Sequence, residues 1–362
     1  MFNIRKQLRG LYLSSVMGNL SLTGAWVALL AARGFSLVEI GIAETVFHIT
    51  SIIFELPSGV MADVFGRKKM LMVSSIMHFL GSLIMIFSND LFMVCASIAF
   101  QALCYNFSSG TADALAYDSM KKAGIQDRFE RFESNQLVIY RVCSGISTLF
   151  AGLALTIGYR LAYSTDLICC AVQLIVLSTL TETGGQKDAN DHSTLTRIKC
   201  CFTESFSFLR SAGRAMGLML CNSLIGALDI LLLFFLQAKL PERGIPRGGL
   251  GLALLFMETG GIVGSRLILR FPKARYRTVF AVTAALVLTG LLAEHSASYI
   301  IMALGGFAAA VGDDALQVRT NAKLQKLFPS EQRATLTSVE SLSFSLIMIV
   351  LSPIAGAIFT YW

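Results

Sequence analysis

About eleven apolar runs, each roughly twenty residues long, follow one another along the 362-residue chain with only short polar segments between them. A run of roughly 20 apolar residues is the length that an α-helix needs to cross the hydrocarbon core of a bilayer. Mean hydropathy is +0.65 and 15% of the residues are charged, which is not the composition of a soluble globular protein. The runs are 11–32, 37–62, 70–88, 91–118, 135–158, 160–181, 215–236, 249–269, 277–293, 297–320 and 334–360. The sequence therefore predicts an all-α integral membrane protein.

The positions of lysine and arginine predict the orientation of these helices. With the N-terminus placed in the cytoplasm, the inner segments hold 24 of the 30 Lys and Arg residues and the outer loops hold five. Short cytoplasmic loops carry such an excess in membrane proteins. We therefore predict a multi-pass protein of the cytoplasmic membrane with a cytoplasmic N-terminus. This placement also explains the net charge of +7, so no nucleic-acid partner is expected.

The widest polar gap, at residues 182–214, separates six runs from five. Its second part places apolar residues on one narrow helical stripe beside basic residues, which favours an amphipathic helix on the inner leaflet. An ordinary linker is the alternative. We predict an N-terminal six-helix bundle at 1–181, a cytoplasmic linker at 182–214 and a C-terminal bundle of five helices at 215–362.

The two predicted bundles carry a faint internal repeat. Asn19-Leu-Ser-Leu recurs loosely as Asn222-Ser-Leu, and Asp113-Ala-Leu recurs as Asp314-Ala-Leu, at nearly the same displacement. Parallel repeats are typical of secondary transporters that bind substrate between their halves near the middle of the bilayer. The same displacement, added to the start of the sixth run, reaches the last residue. A twelfth helix is therefore expected to be missing, either because the reading frame is truncated or because the second half lacks it.

Charged residues inside apolar runs cost about 2.5–3.5 kcal/mol on insertion scales, so they usually face a cavity. The second run carries Glu44, His48, Ser51 and Glu55 within about 60° of helical arc. This spacing predicts a titratable strip along one face of the helix. The alternative is that both glutamates lie near the helix ends and extend towards water.

Asp113 in the fourth run and Arg141 in the fifth are expected at the depth of Glu55. In such a group, Arg141 could neutralise one carboxylate while the other carries a proton. A fixed structural ion pair is the alternative. The predicted proton-coupling residues are Glu44, His48, Glu55, Asp113 and Arg141.

Polar and aromatic residues in several runs predict a substrate site. Trp26 lies well short of the outer end of its run, so anchoring in an aromatic belt explains it poorly. Its ring could hold a flat or cationic ligand, although helix packing is an alternative. Acidic residues outnumber basic ones inside the runs, which favours protons and organic cations over anions. The predicted substrate-binding residues are Asn19, Trp26, Asn106, Asn222, Asp229 and Glu258.

A charged turn bracketed by glycines, Gly59-Val-Met-Ala-Asp63-Val-Phe-Gly66-Arg67-Lys68, lies between the second and third runs. Its spacing, G-x-x-x-D-x-x-G-R-K, resembles the signature loop of the major facilitator superfamily (MFS). The segments Glu55-Leu-Pro57-Ser-Gly59 and Ser109-Gly110-Thr-Ala-Asp113-Ala-Leu-Ala-Tyr117-Asp118 are similar to those of bacterial drug-efflux members. The resemblance covers nearly the whole chain.

The resemblance implies a fold of two bundles related as parallel pseudo-repeats, in which the turn is a conformational latch. Arg67 would pair with Asp118, and Asp63 would dock near the inner end of the eleventh helix. The corresponding segment after the eighth run lacks the aspartate, and the fifth run lacks the Gly-Pro pair of many drug/proton antiporters. The implied latch residues are Gly59, Asp63, Gly66, Arg67, Lys68 and Asp118.

These features predict a secondary active transporter that works by alternating access and exports amphipathic or cationic compounds in exchange for protons. The alternatives are an importer or facilitator of a polar metabolite, and a truncated membrane protein that does not transport. No phosphate-binding glycine loop, H-E-x-x-H motif or nucleophile elbow occurs in the sequence, so no enzymatic activity or catalytic residue is expected. No cofactor or metal is expected, and the expected partners are a small-molecule substrate, protons and the lipid bilayer. A monomer is expected.

Overall fold

The computed structural model of the protein describes residues 2–183, 203, 213–327 and 333–361. Most of these residues lie in fourteen α-helices. The helices before residue 183 are α1 (Ile4–Asn19), α2 (Trp26–Ala32), α3 (Leu37–Phe65), α4 (Arg67–Phe87), α5 (Leu91–Ser108), α6 (Thr111–Lys122), α7 (Phe129–Leu149), α8 (Ala151–Ile157) and α9 (Tyr159–Ser178). The later helices are α10 (Gly213–Glu242), α11 (Arg247–Leu267), α12 (Tyr276–Ala293), α13 (Tyr299–Leu327) and α14 (Arg333–Tyr361). The amphipathic helix predicted within 182–214 falls almost entirely outside the described residues.

Ten of the eleven predicted runs correspond to spans in the described residues. Nine are helices, or near-continuous helix pairs, that are long and apolar enough to cross a membrane. The tenth is the predicted fifth run, where Gln126–Leu149 and Ala151–Ile157 meet at an angle of 50°. The long apolar runs therefore located nearly every span.

The first run, predicted as one helix over 11–32, is instead divided into α1 and α2 by the segment 20–25. The backbone N–H of Ser21 donates to Ser147 Oγ at 3.2 Å, and the N–H of Thr23 donates to Ser21 Oγ at 2.9 Å. Serine and threonine side chains that bond nearby backbone groups compete with the helical pattern. These hydroxyls therefore satisfy donors that a continuous helix would have satisfied itself.

The fourth run, predicted as one helix over 91–118, is also interrupted. Helix α5 ends at Ser108, and Gly110 adopts a left-handed backbone conformation with φ of 66° before α6 begins. Glycine takes this conformation without the steric cost that a Cβ brings. The break places Asp113 in the first turn of α6, where the partial positive charge of the helix end stabilises a carboxylate.

The chain forms two compact units. Unit 1 comprises Met1–Gly24, Val46–Ser147 and Ile157–Thr203. Unit 2 comprises Ala25–Thr45, Thr148–Thr156 and Glu204–Trp362. The boundaries predicted from the sequence, at 181 and 215, remain a prediction.

Unit 1 has an apolar core at the end of the bundle that carries the charged turn. Leu11, Leu71, Leu115 and Leu177 are buried together with Phe132, and they come from α1, α4, α6, α9 and α7. The ring of Tyr12 stacks on Phe132 with centroids 5.0 Å apart. This core fixes the helices from which the charged side chains of the turn project.

Unit 2 is held together largely by glycines that let backbones approach closely. Gly260 and Gly264 of α11 lie against the backbones of Phe307 and Val311 of α13. Gly41 of α3 lies against Ser352 of α14. Small residues at such positions are what membrane helices use for close packing, since lipid supplies no hydrophobic drive between them.

We predict that Gly264→Leu lowers the free energy of unfolding by about 1–3 kcal/mol, because a side chain there must displace the backbone of Val311. Gly217→Leu is the matched control, since Gly217 has open space around it. Thermal unfolding of both purified variants in detergent measures the effect. Equal stability of the two variants would contradict the packing assigned to α11 and α13.

Candidate transport site

The charged turn is a single-residue break between two helices of unit 1. Helix α3 ends at Phe65, Gly66 has φ of 100°, and α4 begins at Arg67. The Arg67 guanidinium forms an ion pair with Asp118 and donates to the carbonyl of Ala114 at 2.7 Å. Its other terminal nitrogen lies 3.8 Å from Asp63. Arg67 thus joins α4 to α6 and to the end of α3.

A carboxylate that the sequence reasoning missed, Glu182, completes this turn. The backbone N–H of Lys68 donates to Glu182 Oε2 at 2.8 Å, while Lys68 Nζ donates to the carbonyl of Ser178 at 2.7 Å. An anion at the start of α4 and a cation at the end of α9 both complement the helix dipoles. Only its spacing from the end of the sixth run could have drawn attention to Glu182. The two helix ends therefore cap each other.

Ser51, in the polar strip predicted on the second run, forms a hydrogen-bonded contact between α3 and α5. Ser51 Oγ donates to Asn106 Oδ1 at 2.9 Å, and Asn106 Nδ2 donates to the Ser51 carbonyl at 3.1 Å. Asn106 is 1% exposed, so this predicted substrate residue is occupied in joining two helices. His48 is buried on α3, and Glu55 acts electrostatically on Tyr105 of α5.

The structure does not bring Asp113 and Arg141 into one buried group. Arg141 is exposed on α7, where its guanidinium lies 5.9 Å from the ring centroid of Tyr140. The charged group that acts on Asp113 is Glu133, a second carboxylate on α7. Negative rather than positive charge therefore acts on Asp113.

Unit 1 contains a partly open cavity of about 180 Å³, and Asn19 is one of several polar side chains that line it. Asn19 Nδ2 donates to the Ser15 carbonyl at 2.7 Å, which closes the last turn of α1. Gln173 of α9 donates to the carbonyl of Ser14 at 3.0 Å. The polar side chains that line the cavity are Ser14, Ser15, Asn19, Ser74, His78, Ser108, Gln136 and Gln173.

Unit 2 holds the other predicted substrate residues. The Trp26 ring meets Phe234 of α10 edge-on, with centroids 5.6 Å apart. Glu258 accepts a hydrogen bond of 2.9 Å from the Thr148 hydroxyl. Asn222 Nδ2 donates to Glu340 of α14 at 3.3 Å. Each of these side chains therefore also joins neighbouring elements of unit 2.

Three aspartates form an acidic cluster in unit 2. Asp229 of α10 interacts electrostatically with Asp313 and Asp314 of α13. The Asp313 carboxylate approaches Gly226, one turn from Asp229 along α10, to 3.3 Å of the position that a Cβ would occupy. Asp229 and Asp313 form no ion pair with any described Lys, Arg or His. Only Asp229 of the three was predicted as a site residue.

A second buried carboxylate, Asp166 of α9, was also missed. It is 1% exposed, and its Oδ2 accepts a hydrogen bond of 2.8 Å from the Thr23 hydroxyl in the α1–α2 break. The signal was present in the sequence, since Asp166 is a charged residue inside an apolar run. The break between α1 and α2, which supplies the Thr23 hydroxyl, could not be seen in the sequence.

A comparison of the whole sequence with known families identifies the chain. The sequence matches the profile of the Major Facilitator Superfamily over residues 10–353. The chain belongs to this superfamily. Membership confirms the predicted all-α, multi-pass membrane fold and points to membrane transport rather than to an enzymatic reaction.

Individual MFS proteins resemble the chain at low identity. An uncharacterized MFS-type transporter, YxaM of Bacillus subtilis (strain 168), is 22% identical over 87% of this chain and 79% of its own length. An uncharacterized transporter of Buchnera aphidicola subsp. Schizaphis graminum (strain Sg) is 32% identical over 115 residues, which are 32% of this chain and only 28% of that protein. The crystal structure of the nucleoside transporter NupG superposes with a TM-score of 0.71 at 15% identity, covering 99% of this chain and 92% of that one. At this identity the structural likeness concerns the fold alone.

We predict that Glu182→Ala destabilises the protein by about 1 kcal/mol, because the N–H of Lys68 at the start of α4 loses its acceptor. Glu130→Ala, which removes an exposed carboxylate on α7, is the matched control. Chemical or thermal unfolding of the purified proteins measures the difference. A Glu182→Ala variant as stable as the control would show that this carboxylate does not cap α4.

We also predict that Ser51→Ala and Asn106→Ala are coupled by about 1 kcal/mol in a double-mutant cycle, because each side chain bonds the other residue. A cycle that combines Asn106→Ala with Ser164→Ala on α9 should be additive. Unfolding free energies of the single and double variants give both coupling terms. Additivity in the first cycle would contradict the reciprocal pairing of α3 with α5.

Proposed function

We propose that the protein is a secondary active transporter of the cytoplasmic membrane that exports amphipathic or cationic small molecules in exchange for protons. The observation that carries this proposal is the acidic cluster of Asp229, Asp313 and Asp314 in unit 2. An excess of carboxylates in a low-dielectric region attracts protons and organic cations and repels anions. The excess of Lys and Arg in the predicted inner loops supports a cytoplasmic N-terminus.

In this proposal, the proton-coupling residues are Glu44, His48, Glu55, Asp113 and Arg141, and the protons themselves move through Glu44, Glu55 and Asp113. The position of Asp113 in an apolar helix, with the negative charge of Glu133 acting on it, supports a role for Asp113 in proton coupling. The exposed position of Arg141 supports a modified role for this residue. It would modulate the local potential from α7 rather than neutralise Asp113 by direct contact.

The proposed substrate residues are Asn19 and Asn106 in unit 1, and Trp26, Asn222, Asp229 and Glu258 in unit 2. Trp26 beside Phe234 offers an aromatic face that suits a flat or cationic ligand. Glu258 and Asp229 supply negative charge. Because Asn106 and Asn222 are already hydrogen-bonded, a substrate that used them would have to exchange these bonds for its own.

The charged turn is proposed to act as the conformational latch, through Gly59, Asp63, Gly66, Arg67, Lys68 and Asp118. Three acceptors converge on Arg67, which supports this role because a single guanidinium holds α3, α4 and α6 together. Such a network changes in steps rather than gradually when one element moves.

A second candidate is uptake of a polar metabolite. The structural likeness to NupG, a nucleoside transporter by name, favours it. The many serine and amide side chains around the cavity of unit 1 also suit a polar ligand. Uptake of a polar metabolite would require neither an aromatic contact to the substrate nor a preference for cationic substrates.

The deciding measurement is the accumulation of a fluorescent lipophilic cation in energised cells, with and without a protonophore. Cells that express the protein should accumulate less dye than empty cells, and the protonophore should remove this difference. The double variant Glu44→Gln/Asp113→Asn should abolish export, because two proposed proton carriers become amides. The matched control Glu130→Gln, an exposed carboxylate, should export normally.

Dye accumulation equal to that of empty cells, with the protein confirmed in the membrane, would contradict export of lipophilic cations. Uptake of a radiolabelled nucleoside driven by an outside-acid gradient would instead support the polar-metabolite reading. Export that persists unchanged in the double variant would refute the roles assigned to Glu44 and Asp113.

A further inference from the structure

Asp166 has one oxygen that is hydrogen-bonded and one that is not. Its Oδ2 accepts from the Thr23 hydroxyl, and the Thr23 hydroxyl lies 2.5 Å from that of Ser21. Ser21 in turn donates its backbone N–H to Ser147 Oγ. The other oxygen, Oδ1, has less than 1 Å² of accessible surface and no hydrogen-bond partner. Asp166 therefore ends a chain of hydroxyl groups and keeps one buried, unsatisfied acceptor.

A buried carboxylate needs a neutralising partner. An isolated charge at such a position is far more costly than a neutral acid. Within the described residues, Asp166 forms no ion pair with Lys, Arg or His. No cationic side chain of the described residues neutralises Asp166, so a proton or a bound cation is the group to consider.

The space around Oδ1 decides between a metal ion and a proton. A metal cation needs a shell of several oxygen ligands and volume of its own. The enclosed Oδ1 atom leaves no such volume, and the neighbouring hydroxyl of Thr23 already donates its hydrogen to Oδ2. A proton needs no additional space. We infer that Asp166 is a proton-binding site of unit 1, located where the backbone of the first span is interrupted.

A second polar residue lies further along α9. Gln173 lies two helical turns further on the same face, about 10 Å away. It borders the cavity of about 180 Å³ together with His78 and Gln136, whose Oε1 is buried without a partner. The cavity is large enough to hold water. Water there would satisfy the unpaired oxygen of Gln136.

The titratable groups on the surrounding elements are mostly thiols. Cys169 and Cys170 lie beside Asp166 on α9, and Cys143 is buried one turn from Ser147 on α7. His78 is the titratable group on the part of α4 that borders the cavity. Residues 13–25, which hold the hydroxyl chain, contain no titratable side chain. Asp166 is thus the carboxylate through which this region would respond to pH.

Infrared spectroscopy of the purified full-length protein tests this inference without any substrate. A protonated carboxyl group has a C=O stretch distinct from that of a carboxylate. A pH titration of the wild type should show such a band, and the band should be absent from the difference spectrum of Asp166→Asn. Asp127→Asn, which changes an exposed aspartate before α7, is the matched control and should retain the band.

Thr23→Val provides a second variant that keeps Asp166 itself. Its band should persist at a shifted frequency, because the carboxyl group loses the hydroxyl that donates to Oδ2. If Asp166→Asn does not fold, this shift alone decides the question. A titrating band that is the same in wild type, Asp166→Asn and Thr23→Val would overturn the inference.

Addition of sodium tests the competing ion. Thermal stabilisation by sodium that is lost in Asp166→Asn would also overturn the inference, in favour of a metal site. Proton binding by Asp166 does not depend on the proposed function. Only a role of this proton in transport rests on the proposed proton coupling. Failure of dye export with a persistent Asp166 band would therefore contradict the proposed function and leave the proton site standing.

Discussion

The architecture depends on one requirement of the bilayer, which is that backbone N–H and C=O groups must find partners inside the protein. Long helices meet it by themselves, but the chain also contains interruptions. At the first interruption, the hydroxyls of Ser21 and Ser147 accept backbone N–H groups. At the charged turn, Glu182 accepts the N–H of Lys68. These two interruptions are thus held by side chains from distant parts of the sequence, Ser147 and Glu182, which help to fix the neighbouring helices of unit 1.

Whether a polar side chain has a hydrogen-bond partner inside the protein also separates structural polar groups from those available for function. Ser51 and Asn106 satisfy each other, and Gln173 is bonded by Ser14 and Ser75, so these residues hold helices together. Asp166 and Gln136 each retain a buried acceptor without a partner. Such groups reduce the stability of the folded state unless a proton, water or substrate completes them. Gln136 borders the cavity of unit 1, and Asp166 is enclosed further along α9, so each needs a different external partner.

Hydropathy located the spans because twenty apolar residues have few alternatives to a membrane helix. It did not reveal the interruptions at 20–25 and 109–110, because these depend on local competition between side chains and backbone that an average over twenty residues removes. The charged turn was recognisable since its glycines and charges have a fixed spacing. The predicted grouping of Asp113 with Arg141 assumed a continuous fourth helix and a buried arginine. The structure has a break before Asp113, and Arg141 is exposed. The membrane depth estimated from position in a run was therefore a poor guide to whether these two side chains meet.

The segment 20–25 and the bend after α7 both lie where the chain leaves unit 1, and this suggests a mechanical consequence of the position of Asp166. The chain leaves unit 1 at Gly24, directly after the hydroxyl chain, and again at Ser147, two residues before the 50° bend between α7 and α8. The bond from Ser21 to Ser147 joins these two exits within unit 1. A proton on Asp166 would weaken the acceptor that orders Thr23 and, through it, Ser21. Proton binding would therefore act on the segments where helices can bend at least cost, whereas the same proton in the middle of a continuous helix would meet a backbone that cannot yield.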